Sequence, residues 1–147
     1  MPAYRLILCP VDFSKPSERA LETGLDLATR LKAAVRVMHV FQLPATALPE
    51  VAGDGLRDME DIMQSRLQEK LDALVKRIAK PGVEISTGLS EGVPYVEIAR
   101  GAKAMNADLI VIGTHGRTGL AHMMLGSVAE RVVRISEVPV LTVRTLT

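Results

Sequence analysis

Ala107–Asp108–Leu109–Ile110–Val111–Ile112–Gly113–Thr114–His115–Gly116 is the stretch whose reading decides the fold. Leu109 to Ile112 is apolar at every position. A strand with one wet face alternates apolar and polar residues, whereas a strand covered on both faces reads as a continuous apolar run. The segment is therefore expected at the centre of a parallel sheet. It runs into a glycine-marked loop from Gly113 to Gly126, after which Ser127 to Ser136 reads as a helix with Val128, Val132, Val133 and Ile135 inward.

Working outward, short apolar strands and amphipathic helices alternate. Tyr4 to Val11 reads as a first strand. Ser14 and Pro16 mark a helix start, and Ala20, Leu21, Leu25, Leu27, Ala28 and Leu31 recur at helical spacing. Val35 to Phe41 is a second strand. Gln42 to Gly55, with two prolines and two glycines, reads as a loop. A long helix is predicted from about Leu56 to Ala79, with Met59, Ile62, Met63, Leu67, Leu71, Leu74, Val75 and Ile78 as its apolar positions. Pro81–Gly82 stops it. Val83 to Leu89 alternates as a third strand, Pro94 opens a helix through Met105, and Val138 to Val143 is the last strand.

This β-α repeat demands parallel pairing through right-handed crossovers. The expected architecture is one α/β domain over residues 1–147, a doubly wound five-stranded parallel sheet in the order 3-2-1-4-5. Two helices are expected on each face, with strands one and four as neighbours. No internal repeat or linker interrupts it.

Composition narrows the function. Hydrophobic residues make up 48% of the chain and aromatic residues only 3%, with no Trp. Aliphatic side chains suit a sheet buried on both faces, and few aromatics are available for stacking bases of single strands. The formal net charge is +1, with both signs interleaved, so no basic stripe points to nucleic acid. Cys9 is the one cysteine and cannot form an intrachain disulfide. In the run Leu6–Ile7–Leu8–Cys9 it reads as a small buried hydrophobe. The N-terminal apolar stretch is too short for a signal peptide, and no segment reaches the roughly 20 apolar residues of a membrane span. A cytoplasmic protein with no membrane partner is expected.

Open α/β sheets bind ligands beyond the carboxyl ends of their strands, where strand order reverses. Two strand ends carry suggestive residues there: Pro10–Val11–Asp12, and Gly113 to Gly119 closing at Gly126–Ser127. Glycines allow close backbone approach. Ser127 falls at a helix start, where unbonded amides and partial positive charge favour phosphate oxygens. The same residues fit an ordinary turn with a serine cap. No GxxxxGK[ST] is present, and no GxGxxG follows the first strand, so neither the P-loop nor the dinucleotide fingerprint applies. No histidine spacing suggests a metal site.

The pattern Gly113-x2-Gly116-x9-Gly126-Ser127 resembles the ATP-binding loop of the universal stress protein family. Ile7 to Ser14, His39–Val40, Ala107 to Gly116 and Val138 to Val143 are similar to that family's strands and strand endings. The resemblance covers nearly the whole chain. It implies that Asp12 and the backbone at Val40 hold the adenine and ribose, and that Pro10 and Val11 line that pocket. Gly113, Gly116 and Gly126 would give backbone access to ribose and phosphates. Ser127 and the amide of Val128 would hold the phosphate tail, flanked by His115 and Arg117. Ala129 stands where many ATP-binding members carry a hydroxyl. A bulky residue at Gly116 or Gly126 is expected to block phosphates and leave the fold largely intact.

The function expected from this resemblance is an ATP-binding stress-response or signalling module, with or without Mg²⁺, and with slow or no hydrolysis. No catalytic residue is expected, because no nucleophile–base constellation is visible. The alternatives are a dimeric interaction protein with a degenerate nucleotide site, and a slow ATPase using Asp12 and His115. A homodimer through the exposed edge of the Val138–Val143 strand is also expected, since an unpaired apolar edge is normally covered.

Overall fold

Among the described residues, 3–43, 54–115 and 125–145 of a computed structural model, strands and helices alternate strictly. The strands are β1 (Leu6–Pro10), β2 (Ala34–Phe41), β3 (Ile85–Glu91), β4 (Leu109–Gly113) and β5 (Val140–Val143). The helices are α1 (Lys15–Leu31), α2 (Asp54–Ile78), α3 (Pro94–Ala104) and α4 (Ser127–Ile135). All pairings are parallel, and the strand order is β3-β2-β1-β4-β5. β1 lies beside β4, with Ile7 opposite Leu109, so strand order reverses between them. The expected topology is the observed one.

Period-two alternation divides the core into two layers. Ile7 and Cys9 of β1, Val35 and Val37 of β2 and Val111 of β4 face Leu21, Leu25 and Ala28 of α1 and Leu71 and Leu74 of α2. Leu8, Met38, Ile110 and Ile112 face the other way, onto Ile98 and Ala102 of α3 and Ala129 and Val132 of α4. Each face thus carries two helices. Cys9 is fully enclosed, and burial pushes its thiol up to about 12, so it stays protonated and packs as a hydrophobe.

Several element edges and helix faces differ from the sequence reading; β1, for one, runs over Leu6–Pro10 and not Tyr4 to Val11. β3 starts at Ile85, because the amide of Val83 is turned back toward the Lys80 carbonyl. β5 starts at Val140 instead of Val138, because the Val138 amide donates to Ser136 Oγ at 3.0 Å and its carbonyl accepts from the same hydroxyl at 2.7 Å. That local turn withholds Val138 from the ladder. In α2, Met59 and Ile62 are more than half exposed. A helix of 25 residues is about 37 Å long, while the longest strand has 8 residues and spans about 26 Å, so its N-terminal half overhangs the sheet. In α4, Val132 and Ala129 are buried, but Val133 and Ile135 are nearly half exposed: Val133 lies at the edge of the stripe that Val128, Ala129 and Val132 define, and Ile135 is the last residue of the helix. Most of the loop read over Gln42 to Gly55 lies outside the described residues, and helix begins at Asp54.

Candidate functional site

Two short polar motifs shape the exit from β1. Asp12 Oδ1 accepts the amide of Ser14 at 3.0 Å and also the Ser14 hydroxyl. Ser14 is the N-cap of α1, and its Oγ accepts the Ser17 amide at 3.3 Å. Ser17 Oγ donates to the Ser14 carbonyl at 2.9 Å and accepts the Asp12 amide at 3.2 Å. Asx and serine turns of this kind offer the backbone an alternative to strand or helix pairing. One carboxylate oxygen of Asp12 is thereby committed to the turn.

The turn forces Phe13 to φ +65°, a left-handed conformation uncommon for a bulky residue. Such conformations persist where the surroundings over-determine them. Here the Phe13 ring lies 4.6 Å from the His39 ring, and Lys70 Nζ stands 4.5 Å above it. Buried His39 also places Nδ1 2.8 Å from the Val11 carbonyl, where a protonated Nδ1 donates to it. The second strand therefore holds the end of the first from the side.

The second wall is the passage from β4 to α4. The Gly126 amide donates to the Thr114 carbonyl, and the Thr114 amide to Val143 at 3.0 Å. Gly126, not Ser127, occupies the N-cap position, and no side chain among the described residues caps α4. Ser127 was expected to be the cap; it is the first helical residue, because the Gly126 backbone makes the turn. The first intrahelical bond runs from Glu130 to the Gly126 carbonyl. The amides of Ser127, Val128 and Ala129 thus precede the helix's own ladder and face an external acceptor.

Between these walls, at the carboxyl ends of β1 and β4, lies a cavity of about 300 Å³. Pro10, Val11, Asp12, Val40, Gly113, His115, Gly126, Ser127 and Val128 all line it. These are nine of the eleven residues singled out from sequence; the other two, Gly116 and Arg117, lie outside the described residues. Sequence reasoning missed Ser17, Thr114, Pro94, Ile98, Ile112 and the wall formed by Ala129. The hydroxyls of Ser17 and Thr114 had a local signal, as neighbours of the Asp12 turn and of Gly113. Pro94 and Ile98 had none, because α3 reaches the cavity only through the fold.

The lining separates into two chemistries. Val11, Val40, Pro94, Ile98 and Ile112 form an apolar wall. Thr114, His115, Ser127 and the α4 amides offer donors, and Asp12 is the one carboxylate among the described lining residues. His115 Nδ1 lies 2.9 Å from Thr114 Oγ1, while its Nε2 is buried without a hydrogen-bond partner among the described residues. Buried ring nitrogens are normally satisfied. An apolar slot ending in uncapped amides suits a ligand with a flat apolar part and an anionic tail.

The glycines have a packing role that precedes any ligand. A Cβ at Gly113 would lie 2.9 Å from the Pro16 carbonyl oxygen, and one at Gly126 would lie 2.7 Å from that of Thr114. Both contacts are with backbone, which cannot rotate away. The expectation that a bulky residue at Gly126 leaves the fold largely intact therefore does not carry over. Such a variant would move the loop itself and could not isolate an effect on ligand.

The chain is a doubly wound parallel α/β domain whose cavity opens at the point of strand reversal, where open sheets of this class place their ligands. The chain belongs to the universal stress protein family, whose model matches residues 3–144. It is 37% identical over 142 residues to universal stress protein MJ0531 of Methanocaldococcus jannaschii, covering 96% of this chain and 82% of that protein. Its fold is similar to that of universal stress protein UspA from Lactobacillus plantarum, with a TM-score of 0.83 and 25% identity over 98% of this chain and all of that one. A universal stress protein from Archaeoglobus fulgidus solved in complex with dAMP gives a TM-score of 0.64 and 29% identity, over 96% of this chain and 98% of that one. A universal stress protein solved in complex with cAMP gives 0.67 and 26%, over 99% and 100%. Among the described residues, no helix is long and apolar enough to cross a membrane.

Proposed function

We propose that this protein is an ATP-binding stress-response or signalling module with slow or no hydrolysis. The observation that carries the reading is the uncapped start of α4 opening onto an apolar cavity at the strand reversal. The adenine-nucleotide complexes of two structural neighbours support the ligand class. In this reading the base lies against Val11 and the backbone at Val40, and Asp12 takes the ribose. The phosphates lie near the amides of Ser127 and Val128 and the Ser127 hydroxyl. His115 Nε2 meets a phosphate oxygen, with Gly116 and Arg117 completing that end. Ala129 has no hydroxyl to offer, but its amide belongs to the same uncapped turn. A bound Mg²⁺ would find Asp12 as its one described carboxylate.

Binding without efficient turnover follows from the donor set. Phosphoryl transfer needs positioned charge and an activated nucleophile, and the described lining residues present a cradle with no evident general base. Calorimetric titration with ATP is expected to give saturable binding below millimolar concentration. Turnover of labelled ATP is expected to stay well under the usual enzyme range of about 1–10³ per second. Absence of binding at millimolar ATP would leave the interaction-protein reading. Turnover within the enzyme range that is lost in an Asp12→Ala variant still able to bind ATP would make the protein an ATPase.

The proposed partner is a second copy of the chain. β5 pairs with β4 on one side, and on the other it presents backbone groups and the exposed Leu141. Antiparallel pairing of two such edges about a twofold axis would satisfy both. Light scattering at micromolar concentration is expected to report a dimer that Leu141→Asp converts to monomer. A wild-type monomer, or a dimer indifferent to that charge, rejects the interface.

A further inference from the structure

Beside the cavity's apolar wall stands a carboxylate that does not itself line it. Glu97 stands in the first turn of α3, between Pro94 and Ile98, and is only 8% exposed. Its Oε2 accepts the Ser90 hydroxyl at 3.0 Å, from the end of β3, and also bonds Arg100 of its own helix. The guanidinium beside it holds the carboxyl below its ordinary range, against the opposing effect of burial. The side chain lies across Gly92, where a Cβ would stand 2.8 Å from Glu97 Cγ. The Gly92 amide in turn donates to the Phe41 carbonyl at 2.9 Å, one residue beyond Val40.

These contacts form a chain from α3 through the β3–α3 turn to the end of β2. Pro94 and Ile98 of α3 and Val40 of β2, which share the apolar wall, are therefore tied to one another through one buried anion. Other contacts of α3 among the described residues run elsewhere: Tyr95 lies 5.0 Å under Arg131 of α4, Gly101 packs against Met38, Lys103 pairs with Glu137, and Ile98 and Ala102 pack on Leu8 and Ile110. None of these binds the start of α3 to β3. A carboxylate this deeply buried is costly to keep unless its bonds accomplish something.

We propose that Glu97 is a positioning residue that fixes the α3 part of the cavity's apolar wall against the end of β2, acting through Ser90, Gly92 and Phe41. The inference rests on the nucleotide reading above and assigns the slot that takes the base to a device outside it. The test titrates adenosine and ATP into wild type, Glu97→Ala, Glu97→Gln and Ser90→Ala by calorimetry, well below each variant's melting temperature as followed by circular dichroism. Glu97→Ala is expected to weaken both ligands by the same factor, about tenfold, the effect of losing one buried charge-assisted hydrogen bond. Equal losses place the effect at the nucleoside, which the two ligands share, and not at the phosphates. Glu97→Gln keeps an acceptor for Ser90 and is expected to remain within about threefold of wild type.

A folded Glu97→Ala with wild-type affinity overturns the proposal. So does a Glu97→Gln as weak as Glu97→Ala, which would make the charge and not the tether responsible. If Glu97→Ala does not fold, Ser90→Ala decides: weaker binding of both ligands supports the tether, and unchanged affinity overturns it. If wild type binds neither adenosine nor ATP, the nucleotide reading itself fails and takes this inference with it.

Discussion

Gly24→Ala is expected to destabilise the protein by about 1–3 kcal/mol, although the same change in an exposed helix interior stabilises by about 1 kcal/mol. Gly24 lies where α1 crosses the sheet, and a Cβ there would stand 2.5 Å from Cys9 Sγ and 3.7 Å from Val111 Cβ. Cys9 and Val111 are fully enclosed, so the sulfur has no open space to enter. Relief requires α1 to lift from the sheet, which separates Leu21 and Leu25 from Ile7 and Val111. It also draws Pro16 away from Gly113 and loosens the cavity. Urea denaturation should therefore show a lower midpoint for Gly24→Ala, and a far larger loss for Gly24→Val. The double variant Cys9→Ala/Gly24→Ala removes the sulfur and is expected to recover most of the difference, a coupling that a double-mutant cycle measures directly. A Gly24→Ala protein more stable than wild type would show that helix propensity, not close approach, governs the site.

Val40→Phe is expected to weaken ATP binding by about 100-fold or more, equivalent to roughly 2.7 kcal/mol, while leaving a folded protein. Val40 is half-buried and lines the cavity between the ends of β1 and β3. A phenyl ring at this position has the void of about 300 Å³ to enter, so the added volume displaces ligand and not protein. This sets Val40 apart from Gly113 and Gly126, where an added Cβ meets backbone. Calorimetric titration alongside thermal melting checks both halves of the expectation. A Val40→Phe protein that binds ATP as wild type does would place the ligand elsewhere. One that loses binding and melts far below wild type would show that Val40 is needed for the core.

The doubly wound parallel sheet was legible because the pattern left little choice. Leu109 to Ile112 must be covered on both faces, and each helix between strands must cross over right-handedly. The nine described residues picked from sequence share one cavity because the ends of neighbouring parallel strands fall together. Ser127 was misplaced by one position as a cap, since cap identity depends on backbone angles and residue type alone does not set them. Met59 and Ile62 were read as core because helical spacing says which face is apolar but not how far the sheet beneath extends.

What the sequence by itself determined is the doubly wound parallel sheet and the two strand ends that carry the site's residues, because period and crossover handedness are local properties of the chain. What only the tertiary structure decided is how those ends are held and what closes the space between them. His39 on the Val11 carbonyl, Pro16 against Gly113 and Glu97 on Ser90 join segments from 7 to 97 residues apart. No spacing rule reaches across such separations, because those contacts exist only once the layers have packed.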